Sequence, residues 1–572
     1  MSLTPRAPSQ KGELGAAFSA CRSAFIWIAF FSALINVLML TSSFFMLQVY
    51  DRVLASHSVP TLVGLCILAG ILYVFLALFD VVRQRILTRI GLRLDEQVSG
   101  RIYETILTMP VRSSQHGEWK YPLRDLDSLR SFLSSLGPTV VFDLPWFPVY
   151  LAICYAFHVW IGVAATAGAL VLIAFTIVIE RNTKVAVQEA TSLGSARNGS
   201  AESGRRNAEV INALGMTGRL AARWQTVNSD YLDSHRRASD IGGGLGAASK
   251  IFRMALQSGI LAIGAWLVIR QEATGGVIIA ASILSSRALA PIELAISSWK
   301  SFVGARQSWK RLSDMLDHFP DRSAMFELPA PTALLSVESL SVAPPGKQKL
   351  VVHDASFQVR AGSAVGVIGA NASGKSSLIR CLVGAWMPAV GKVRLDGGPL
   401  DQWNPILLGR HIGYLPQDVE LIDGTVSENI SRFMPDAPAT DVVEAARNAG
   451  THEMIMNLPE GYDTRIGHQD AALSSGQRQR IALARALYGN PFLVVLDEPN
   501  SNLDSEGEQA LTEAIVGVRR RDGIVVVVAH RAAAISGVDL LLLMSNGRIQ
   551  SFGPRDEVLS RLQKPALKSV TA

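Results

Sequence analysis

The stretch that decides the fold reads Gly-Ala-Asn-Ala-Ser-Gly-Lys-Ser over residues 369–376. It matches the pattern G-x4-G-K-[ST] of a phosphate-binding loop. An apolar run, Ser363–Ile368, precedes it as a strand would, and Ser377–Leu382 follows with the pattern of a helix. Glycines allow the backbone to curl so that its N–H groups point at phosphate oxygens. These residues predict a strand–loop–helix unit that binds a nucleoside triphosphate.

A second apolar run, Phe492–Leu496, ends in two carboxylates, Asp497 and Glu498. After a phosphate loop, such a run is typical of the strand that carries the acidic residues of a P-loop ATPase. Lys375 would reach the β- and γ-phosphates of ATP. Ser376 and Asp497 would hold Mg²⁺, and Glu498 would polarise the attacking water as a general base. The two motifs together predict Mg²⁺-dependent hydrolysis of ATP.

Residues 473–480, between these motifs, read Leu-Ser-Ser-Gly-Gln-Arg-Gln-Arg. The stretch resembles the signature sequence of ABC ATPases, usually Leu-Ser-Gly-Gly-Gln, from which Ser475 departs. Gln417, residues 501–504 and His530 follow the family order of the Q-loop, the D-loop and the switch histidine. By this resemblance, Gln417 contacts Mg²⁺ and couples to the membrane domain, and His530 contacts the γ-phosphate.

The resemblance carries a set of functional residues onto this chain. The expected catalytic residues are Glu498, His530, Lys375 and Gln417, and the expected metal-holding residues are Ser376, Gln417 and Asp497. The expected nucleotide-binding residues are Gly369, Asn371, Ser373, Gly374, Lys375, Ser376, Ser377, Ser474, Ser475, Gly476, Gln477 and Asp504. An aromatic residue usually stacks on adenine in this family, but none stands at residues 343–345, so the contact with the base stays open.

The N-terminal half has a different composition. The 572-residue chain is 49% hydrophobic and has a mean hydropathy of +0.26, high for a soluble protein. Six apolar runs lie near residues 24–47, 61–79, 140–157, 160–179, 251–269 and 276–295. About 20 helical residues cover a hydrocarbon core of about 30 Å. We therefore expect six transmembrane helices, the first of them too long for a cleaved signal peptide.

Two long connections, after the second and after the fourth run, hold many of the basic residues behind the net charge of +6. These charges form no contiguous block, so nucleic acid is not an expected partner. The positive-inside rule places both connections, the N-terminus and the ATPase half in the cytoplasm. Their helical pattern predicts helices that leave the membrane and turn back near Leu123–Phe132 and Ala208–Leu220, although ordinary solvated loops remain an alternative.

Four charged residues, Asp143, Arg253, Arg287 and Glu293, fall within the apolar runs. A charge at membrane depth costs roughly 2.5–3.5 kcal/mol on insertion scales. Two interpretations stay open: a polar wall of a translocation path, or ion pairs between helices and positions near the interface. The four cysteines form no CxxC pair, so the sequence gives no metal or redox motif of that type.

The membrane half resembles the ABC proteins of bacterial type I secretion, in particular the protease and lipase exporters. The matching stretches of the membrane half are Leu47–Leu54, Phe142–Trp146, Asn207–Ile211 and Arg287–Pro291, and Ile422–Ile430 in the ATPase half also fits ABC exporters. The resemblance implies a six-helix α transmembrane domain of ABC exporter type fused to an α/β P-loop nucleotide-binding domain. It also implies export of unfolded proteins with an uncleaved C-terminal signal across a Gram-negative inner membrane. Because Ala24 begins the first run, we expect no N-terminal peptidase domain.

Composition changes near residue 325, after which the chain reads as soluble α/β. We expect an N-terminal cytoplasmic tail at residues 1–23, a membrane domain at 24–324, an ATPase domain at 325–560 and a C-terminal tail at 561–572. The resemblance implies a homodimer, because each ATP in this family lies between the phosphate loop of one subunit and the signature of the other. It further implies a membrane fusion (periplasmic adaptor) protein, an outer-membrane channel and a secreted client as partners.

Two other functions remain open from the sequence. The same layout occurs in half-transporters that export lipid or small molecules. A scaffold that binds ATP only to gate a membrane complex is disfavoured, because such a protein need not keep Glu498 and His530.

Overall fold

The computed structural model describes residues 12–112, 119, 121–319, 328–467, 473–529 and 537–563. They form two units: a membrane unit of residues 12–107, 119 and 121–319, and an ATPase unit of residues 108–112 and 328–563 with the same gaps. The expected boundary at residues 324 and 325 lies outside the described residues. The expected start of the C-terminal tail, residue 561, lies within a helix that ends at Gln563.

Twelve α-helices build the described part of the first unit and its continuation to Arg112. They are α1 (Glu13–Ala20), α2 (Arg22–Leu38), α3 (Thr41–Gln48), α4 (Leu54–Ser56), α5 (Val59–Arg112), α6 (Pro122–Leu133), α7 (Thr139–Asp143), α8 (Phe147–Phe157), α9 (Val159–Arg206), α10 (Ala208–Ala213), α11 (Thr217–Ile269) and α12 (Gly275–His318). A π-helical turn, Val49–Val53, joins α3 to α4, and a 3-10 turn, Leu144–Trp146, joins α7 to α8.

Six stretches of the described residues are long and apolar enough to cross a membrane. They are Arg22–Ser56, Val59–Met109, Thr139–Phe157, Val159–Arg206, Thr217–Ile269 and Gly275–His318. The backbone N–H and C=O groups of a helix form hydrogen bonds with one another, and the hydrocarbon core of a membrane offers them no other partner. The six stretches contain the six apolar runs, so the predicted helices are confirmed and the chain is a multi-pass membrane protein.

The last helix, α12, lies at the centre of the membrane unit and α5 at its outside. Half of the apolar window of α12 is buried, against 6% for α5. α12 packs against α3, α6, α8, α9 and α11. Buried side chains of α8, α9, α11 and α12 share one apolar cluster that includes Tyr150, Ile161, Ile260 and Leu284.

The π-helical turn places Asp51 at the start of α12. One carboxylate oxygen of Asp51 accepts a hydrogen bond from Thr274 Oγ1 at 2.7 Å, and the other accepts one from Gly276 N at 2.9 Å. The first backbone N–H groups of a helix have no partner within the helix and favour a carboxylate. This contact explains the local role of the stretch Leu47–Leu54 and joins the first apolar segment to the last.

Three of the four charged residues at membrane depth belong to ion pairs between helices. Asp143 accepts hydrogen bonds from Arg83 at 3.3 Å and from Asn36 Nδ2 at 2.8 Å. Arg253 on α11 pairs with Glu293 on α12. These three residues therefore form ion pairs between helices, whereas Arg287 is exposed. Arg253 and Glu293 also line a cavity, so a polar wall of a translocation path stays a prediction.

One of the two predicted loop tips is wrong. The segment Leu123–Phe132 lies in α6, which packs against α12 through the ion pair of Asp125 with Arg311 (Nε to Oδ2, 2.9 Å). Its buried side chains Leu126 and Leu129 hold it there. The other predicted tip, Ala208–Leu220, holds the short helix α10 between two long helices, as a turn would.

The ATPase unit alternates strands and helices. Its elements in chain order are β1 (Leu334–Val342), β2 (Val352–Arg360), β3 (Ala364–Gly369), α13 (Lys375–Leu382), β4 (Val390–Leu395), β5 (Gly398–Pro399), α14 (Pro405–His411), β6 (Ile412–Leu415), β7 (Gly424–Thr425), α15 (Val426–Ile430), α16 (Ala439–Asn448), α17 (His452–Met456), β8 (Arg465–Ile466), α18 (Ser475–Leu487), β9 (Leu493–Asp497), α19 (Ser505–Arg520), β10 (Ile524–Val528), β11 (Leu540–Ser545), β12 (Arg548–Pro554) and α20 (Arg555–Gln563).

The described strands form a six-stranded sheet of order β12-β11-β3-β10-β9-β6, a four-stranded antiparallel sheet of order β2-β1-β4-β5 and a small β7-β8 pair. In the larger sheet, β11, β3, β10, β9 and β6 run parallel. Every residue of β9 and β10 is buried, because parallel strands covered on both faces are continuously apolar. Val494 and Leu496 enter one core, and Leu493 and Val495 enter the other.

Candidate active site

The phosphate loop connects β3 to α13, as its residues predict. Gly369 has φ +155° and Gly374 has φ +96°. A Cβ on Gly374 would lie 2.7 Å from the carbonyl oxygen of Val351, so no larger residue fits there without a shift. The loop therefore needs glycine both for its backbone angles and for its close approach to the neighbouring strand.

Lys375, the first residue of α13, is only 5% exposed. Its Nζ donates to the carbonyl oxygens of Gly369 at 3.0 Å and Ala370 at 2.9 Å. Burial lowers the pKa of the Lys375 ammonium, while the charges of Glu498 and Asp497 oppose this shift. The ammonium group thus lies inside the loop, where it can exchange backbone carbonyls for phosphate oxygens.

Two of the three residues expected to hold the metal, Ser376 and Asp497, come together beside the loop. Ser376 Oγ donates to Asp497 Oδ1 at 3.4 Å, and Asp497 is 1% exposed at the end of β9. Burial raises the pKa of Asp497, and the hydrogen bond from Ser376 opposes the rise. Its Oδ2 is buried and has no hydrogen-bond partner among the described residues. A hydroxyl and a carboxylate with an open oxygen suit Mg²⁺, which prefers oxygen ligands.

Glu498 follows directly after Asp497 and adopts φ +51°, unusual for a residue with a side chain. Its N–H donates to the carbonyl oxygen of Val528 at 3.2 Å. Gln417, just beyond β6, donates from Nε2 to Glu498 Oε2 at 3.2 Å. The structure therefore joins the expected general base to the Q-loop glutamine, whereas Gln417 forms no hydrogen bond with Asp497 or Ser376 within the described residues.

Sheet order explains why residues so distant in sequence meet. β3, β10, β9 and β6 lie side by side and parallel, so their carboxyl ends share one edge. Gly369, Asp497 and Leu415 end three of these strands, and Val528 ends the strand between β3 and β9. His530 lies two residues after Val528, outside the described residues.

The signature stretch begins helix α18. Ser474 caps it by accepting from Gln477 N at 3.2 Å, and the Gln477 side chain accepts from Ser474 N at 2.9 Å. A reciprocal capping box of this kind fixes the first turn of a helix. Ser475, which departs from the family glycine, is exposed at the first helical position.

A cavity of about 1040 Å³ opens in front of this helix start. Its lining includes Ser474, Ser475, Gly476, Gln477 and Asp504. No residue of the phosphate loop is among the lining residues that the structure describes. The chain thus carries the two halves of the expected nucleotide site at two separate places.

Two residues to which the sequence assigned no role fix the signature helix to the segment that follows Glu498. Gln479 donates to the carbonyl oxygen of Pro499, and Arg480 pairs with Asp504. The backbone N–H of Gly507 and the guanidinium of Arg480 hold the pKa of Asp504 below its usual value. Both residues were visible in the quoted signature stretch, but only the fold shows that α18 contacts the segment after Glu498.

The strand-to-strand turn at residues 343–350 lies next to the phosphate loop, because Val351 at its end approaches Gly374. It forms no aromatic platform, since residues 343–345 are Ala, Pro and Pro.

Comparisons with known proteins agree with this architecture. The sequence profile of the ABC transporter family matches residues 352–501, and that of the ABC transporter transmembrane region matches residues 25–290. The chain is 54% identical to the type I secretion system ATP-binding protein PrsD of Rhizobium meliloti (strain 1021) over 556 residues, which is 97% of this chain and 96% of that protein.

More distant relatives align over most of the chain. The toxin RTX-I translocation ATP-binding protein of Actinobacillus pleuropneumoniae is 26% identical over 544 residues, covering 94% of this chain and 77% of that protein. A bacterial Atm1-family ABC exporter with ATP bound superimposes with a TM-score of 0.81 at 20% identity, covering 95% of this chain and 97% of that one. This likeness confirms the predicted fold class, a six-helix membrane domain fused to an α/β ATPase domain.

Proposed function

Because the chain belongs to the ABC transporter family, and within it to the ATP-binding proteins of type I secretion systems, we propose that it drives protein export across the inner membrane. It is an ATP-hydrolysing membrane transporter. The observation that carries the proposal of protein export is the 54% identity to a secretion protein over 97% of the chain. The clients would be unfolded proteins of the protease or lipase type that carry a C-terminal secretion signal.

The geometry of the ATPase unit supports catalytic roles for its described residues, and the family resemblance supports one for His530. Lys375 would bind the β- and γ-phosphates, and Ser376 with Asp497 would hold Mg²⁺ beside them. When bound, Mg²⁺ would neutralise charge on the phosphates. Glu498 Oε2 would accept the proton of the attacking water, and Gln417, bonded to that oxygen, would orient the carboxylate. His530 would contact the γ-phosphate.

A homodimer would complete the two half-sites. The phosphate loop and the signature cavity are separate in one chain, which supports a nucleotide held between two copies. The backbone N–H groups at the start of α18 would face the phosphates of the partner's ATP. An adaptor protein and an outer-membrane channel would continue the path beyond the membrane, with the ATPase unit in the cytoplasm.

Complementation in a mixed dimer tests this arrangement. Lys375→Ala removes the phosphate-loop cation, and Ser475→Glu puts a negative charge on the exposed start of α18. Each variant alone should lack ATPase activity. Co-expressed chains, purified through two different tags, should regain about half of the wild-type rate, because one site per mixed dimer is intact. Mixed dimers with no activity would contradict the shared site.

The export function is tested in the source organism by comparing culture supernatants of the wild type and Glu498→Gln. The control is Glu513→Gln, an exposed carboxylate on α19. One or a few proteins should vanish from the medium and accumulate inside the cell only with Glu498→Gln. An unchanged set of secreted proteins would overturn protein export under those growth conditions and favour export of lipid or small molecules.

A further inference from the structure

The outer face of α5 changes from apolar to cationic along one continuous helix. Its exposed apolar side chains include Ile67, Val74, Leu78 and Val81, of which Val74 is 68% exposed. The same face continues with Arg85, Arg89 and Arg93, all exposed and each four residues from the next. Residues four apart lie on one side of a helix. We call Arg85, Arg89 and Arg93 the arginine stripe.

The opposite face of α5 packs against the membrane unit. Leu87 and Ile90 are buried in one cluster with Cys21 and Ile28. A Cβ on Gly91 would meet the backbone and side chain of Arg130 on α6, so this side has no room for ligands. The arginine stripe therefore points away from the unit's own helices.

The level of the stripe relative to the bilayer follows from neighbouring elements. α2 begins at Arg22, which is exposed, and the preceding Cys21 packs beside Leu87 and Ile90. Arg83 donates to Ser32 within that segment, and Arg101 pairs with Glu13 before it, so the start of the segment lies level with the end of the stripe at Arg93. Arg85 lies about 12 Å nearer the apolar part of the segment. With a rise of 1.5 Å per residue, Arg89 lies about 6 Å beyond Arg85, which is about the thickness of one headgroup layer.

The arginine stripe has no protein counter-charge among the described residues. None of its three guanidinium groups makes an ion pair or a side-chain hydrogen bond there. Two neighbouring acids pair with other arginines, Asp80 with Arg83 and Asp95 with Arg130, and the exposed Glu96 forms no ion pair among the described residues. Because these cations have no protein partner among the described residues and continue an exposed apolar face, anionic groups of membrane lipids can pair with them.

We propose that the arginine stripe binds the phosphate groups of anionic phospholipids at the end of the second spanning segment. Guanidinium groups form bidentate hydrogen bonds with phosphate, and clustered basic residues next to a spanning helix attract anionic lipids. The exposed apolar residues above the stripe would contact the acyl chains of the same lipids. The membrane orientation predicted from the positive-inside rule would place these lipids in the cytoplasmic leaflet, and the proposal uses that orientation for nothing else. Lipid binding itself is independent of which client is exported.

Native mass spectrometry of the full-length protein in neutral detergent tests the proposal. The probe is dioctanoyl phosphatidylglycerol, with dioctanoyl phosphatidylcholine as the neutral lipid. Arg85→Gln/Arg89→Gln removes two stripe charges. The matched control, Arg219→Gln/Arg223→Gln, removes two exposed arginines at the same spacing on α11, about 40 Å along the helix from its apolar part.

The stripe variant should bind phosphatidylglycerol about 25-fold more weakly than the wild type, because each of the two arginines near a membrane surface strengthens binding about fivefold. The control and the wild type should bind it equally, and Arg85→Lys/Arg89→Lys should keep most of the affinity. Equal affinity in the two glutamine variants would overturn the proposal. A loss of dimers confined to the stripe variant, seen in the same spectra, would instead assign this face to a contact between copies.

Discussion

Two clusters in this molecule place one cation beside two carboxylates, and they differ in what remains unbonded. In the ATPase unit, the charges of Asp497 and Glu498 oppose the lowering of the Lys375 pKa by burial. In the membrane unit, Arg83 donates to Asp80 at 2.8 Å and to Asp143 at 3.3 Å. The two clusters contain the same charges but serve different ends.

The membrane cluster is bonded mainly within the protein. Arg83 also donates to Ser32 Oγ at 3.2 Å, Asn36 donates to Asp143, and Tyr150 donates to Asn36. Among the buried polar atoms of this cluster that the structure describes, only the Nε of Arg83 lacks a partner. In a bilayer an unpaired charge is costly, so protein donors must satisfy it. This cluster ties α2, α5, α7 and α8 together.

The ATPase cluster leaves groups open. Asp497 Oδ2 and Ser373 Oγ are buried without partners among the described residues, beside a loop that only glycine can form. An unsatisfied buried polar group costs about 1–3 kcal/mol, which a bound nucleotide and metal ion can remove. The comparison teaches that open acceptors beside a glycine-rich loop indicate a ligand site, whereas a mostly bonded cluster indicates structure.

The largest expected effect concerns the ATPase cluster and is a loss of catalytic rate. Glu498→Gln keeps the shape of the side chain but removes the base, so the ATPase rate should fall by about 10²- to 10⁴-fold. ATP binding, measured by fluorescent nucleotide titration, should change less than about threefold, because Glu498 is not among the residues expected to bind phosphate. Glu513→Gln is the control. Hydrolysis at more than a tenth of the wild-type rate would remove Glu498 from the role of base.

Arg83→Met should be the most damaging change in the membrane cluster. It leaves Asp143 without its cation, and removing one member of a buried ion pair costs about 3–5 kcal/mol. Unfolding in detergent should report this loss, and Arg83→Met/Asp143→Asn should recover part of it. Arg181→Met, an exposed arginine on α9, should change stability by less than about 0.5 kcal/mol. Equal effects of the two single changes would show that the cluster does not stabilise the fold.

A smaller effect separates two tyrosines on α8. Tyr150 is 1% exposed and donates to Asn36 O and Oδ1, both at 2.9 Å. Tyr150→Phe should lower the free energy of unfolding by about 1–2 kcal/mol, because buried acceptors lose their donor. The exposed hydroxyl of Tyr155 lies 3.2 Å from Thr166 Oγ1. Tyr155→Phe should therefore change the free energy of unfolding by less than about 0.5 kcal/mol. The same thermal unfolding assay distinguishes them, and similar losses would contradict a special role for the buried bond.

The smallest expected effect on the free energy of unfolding is an increase rather than a decrease. Burial raises the pKa of Asp497, so in the nucleotide-free protein its ionised form is disfavoured by folding. Asp497→Asn should therefore stabilise the nucleotide-free protein by up to about 1 kcal/mol near neutral pH while abolishing hydrolysis. In the wild type, keeping Asp497 ionised costs folding free energy at any pH above its raised pKa. This cost is lost as pH falls toward the ordinary pKa of an aspartate, because Asp497 then takes up a proton. The stability difference between variant and wild type should thus shrink in acid, and a difference that grows in acid would contradict the sign.

Hydrophobic periodicity and motif spacing along the sequence predicted much of the fold. Six apolar runs of about spanning length predict six helices, because hydrocarbon admits few other structures. The strand before the phosphate loop and the strand that ends at Asp497 were equally visible, since buried parallel strands are continuous apolar runs. The loop tip at Leu123–Phe132 was wrong because helical periodicity does not reveal which partner a helix packs against.

For the candidate site, the sequence by itself determined the chemistry: the glycine-rich loop with Lys375 and Ser376, the paired carboxylates Asp497 and Glu498, and the signature with its serine at 475. These are local, because each motif needs a backbone shape that a few adjacent residues set. Only the tertiary structure decided which residues meet. It joined Gln417 to Glu498, Arg480 to Asp504 and Arg83 to Asp143, across 81, 24 and 60 residues of chain. Such pairs depend on strand order and helix packing, which spacing along one chain does not encode.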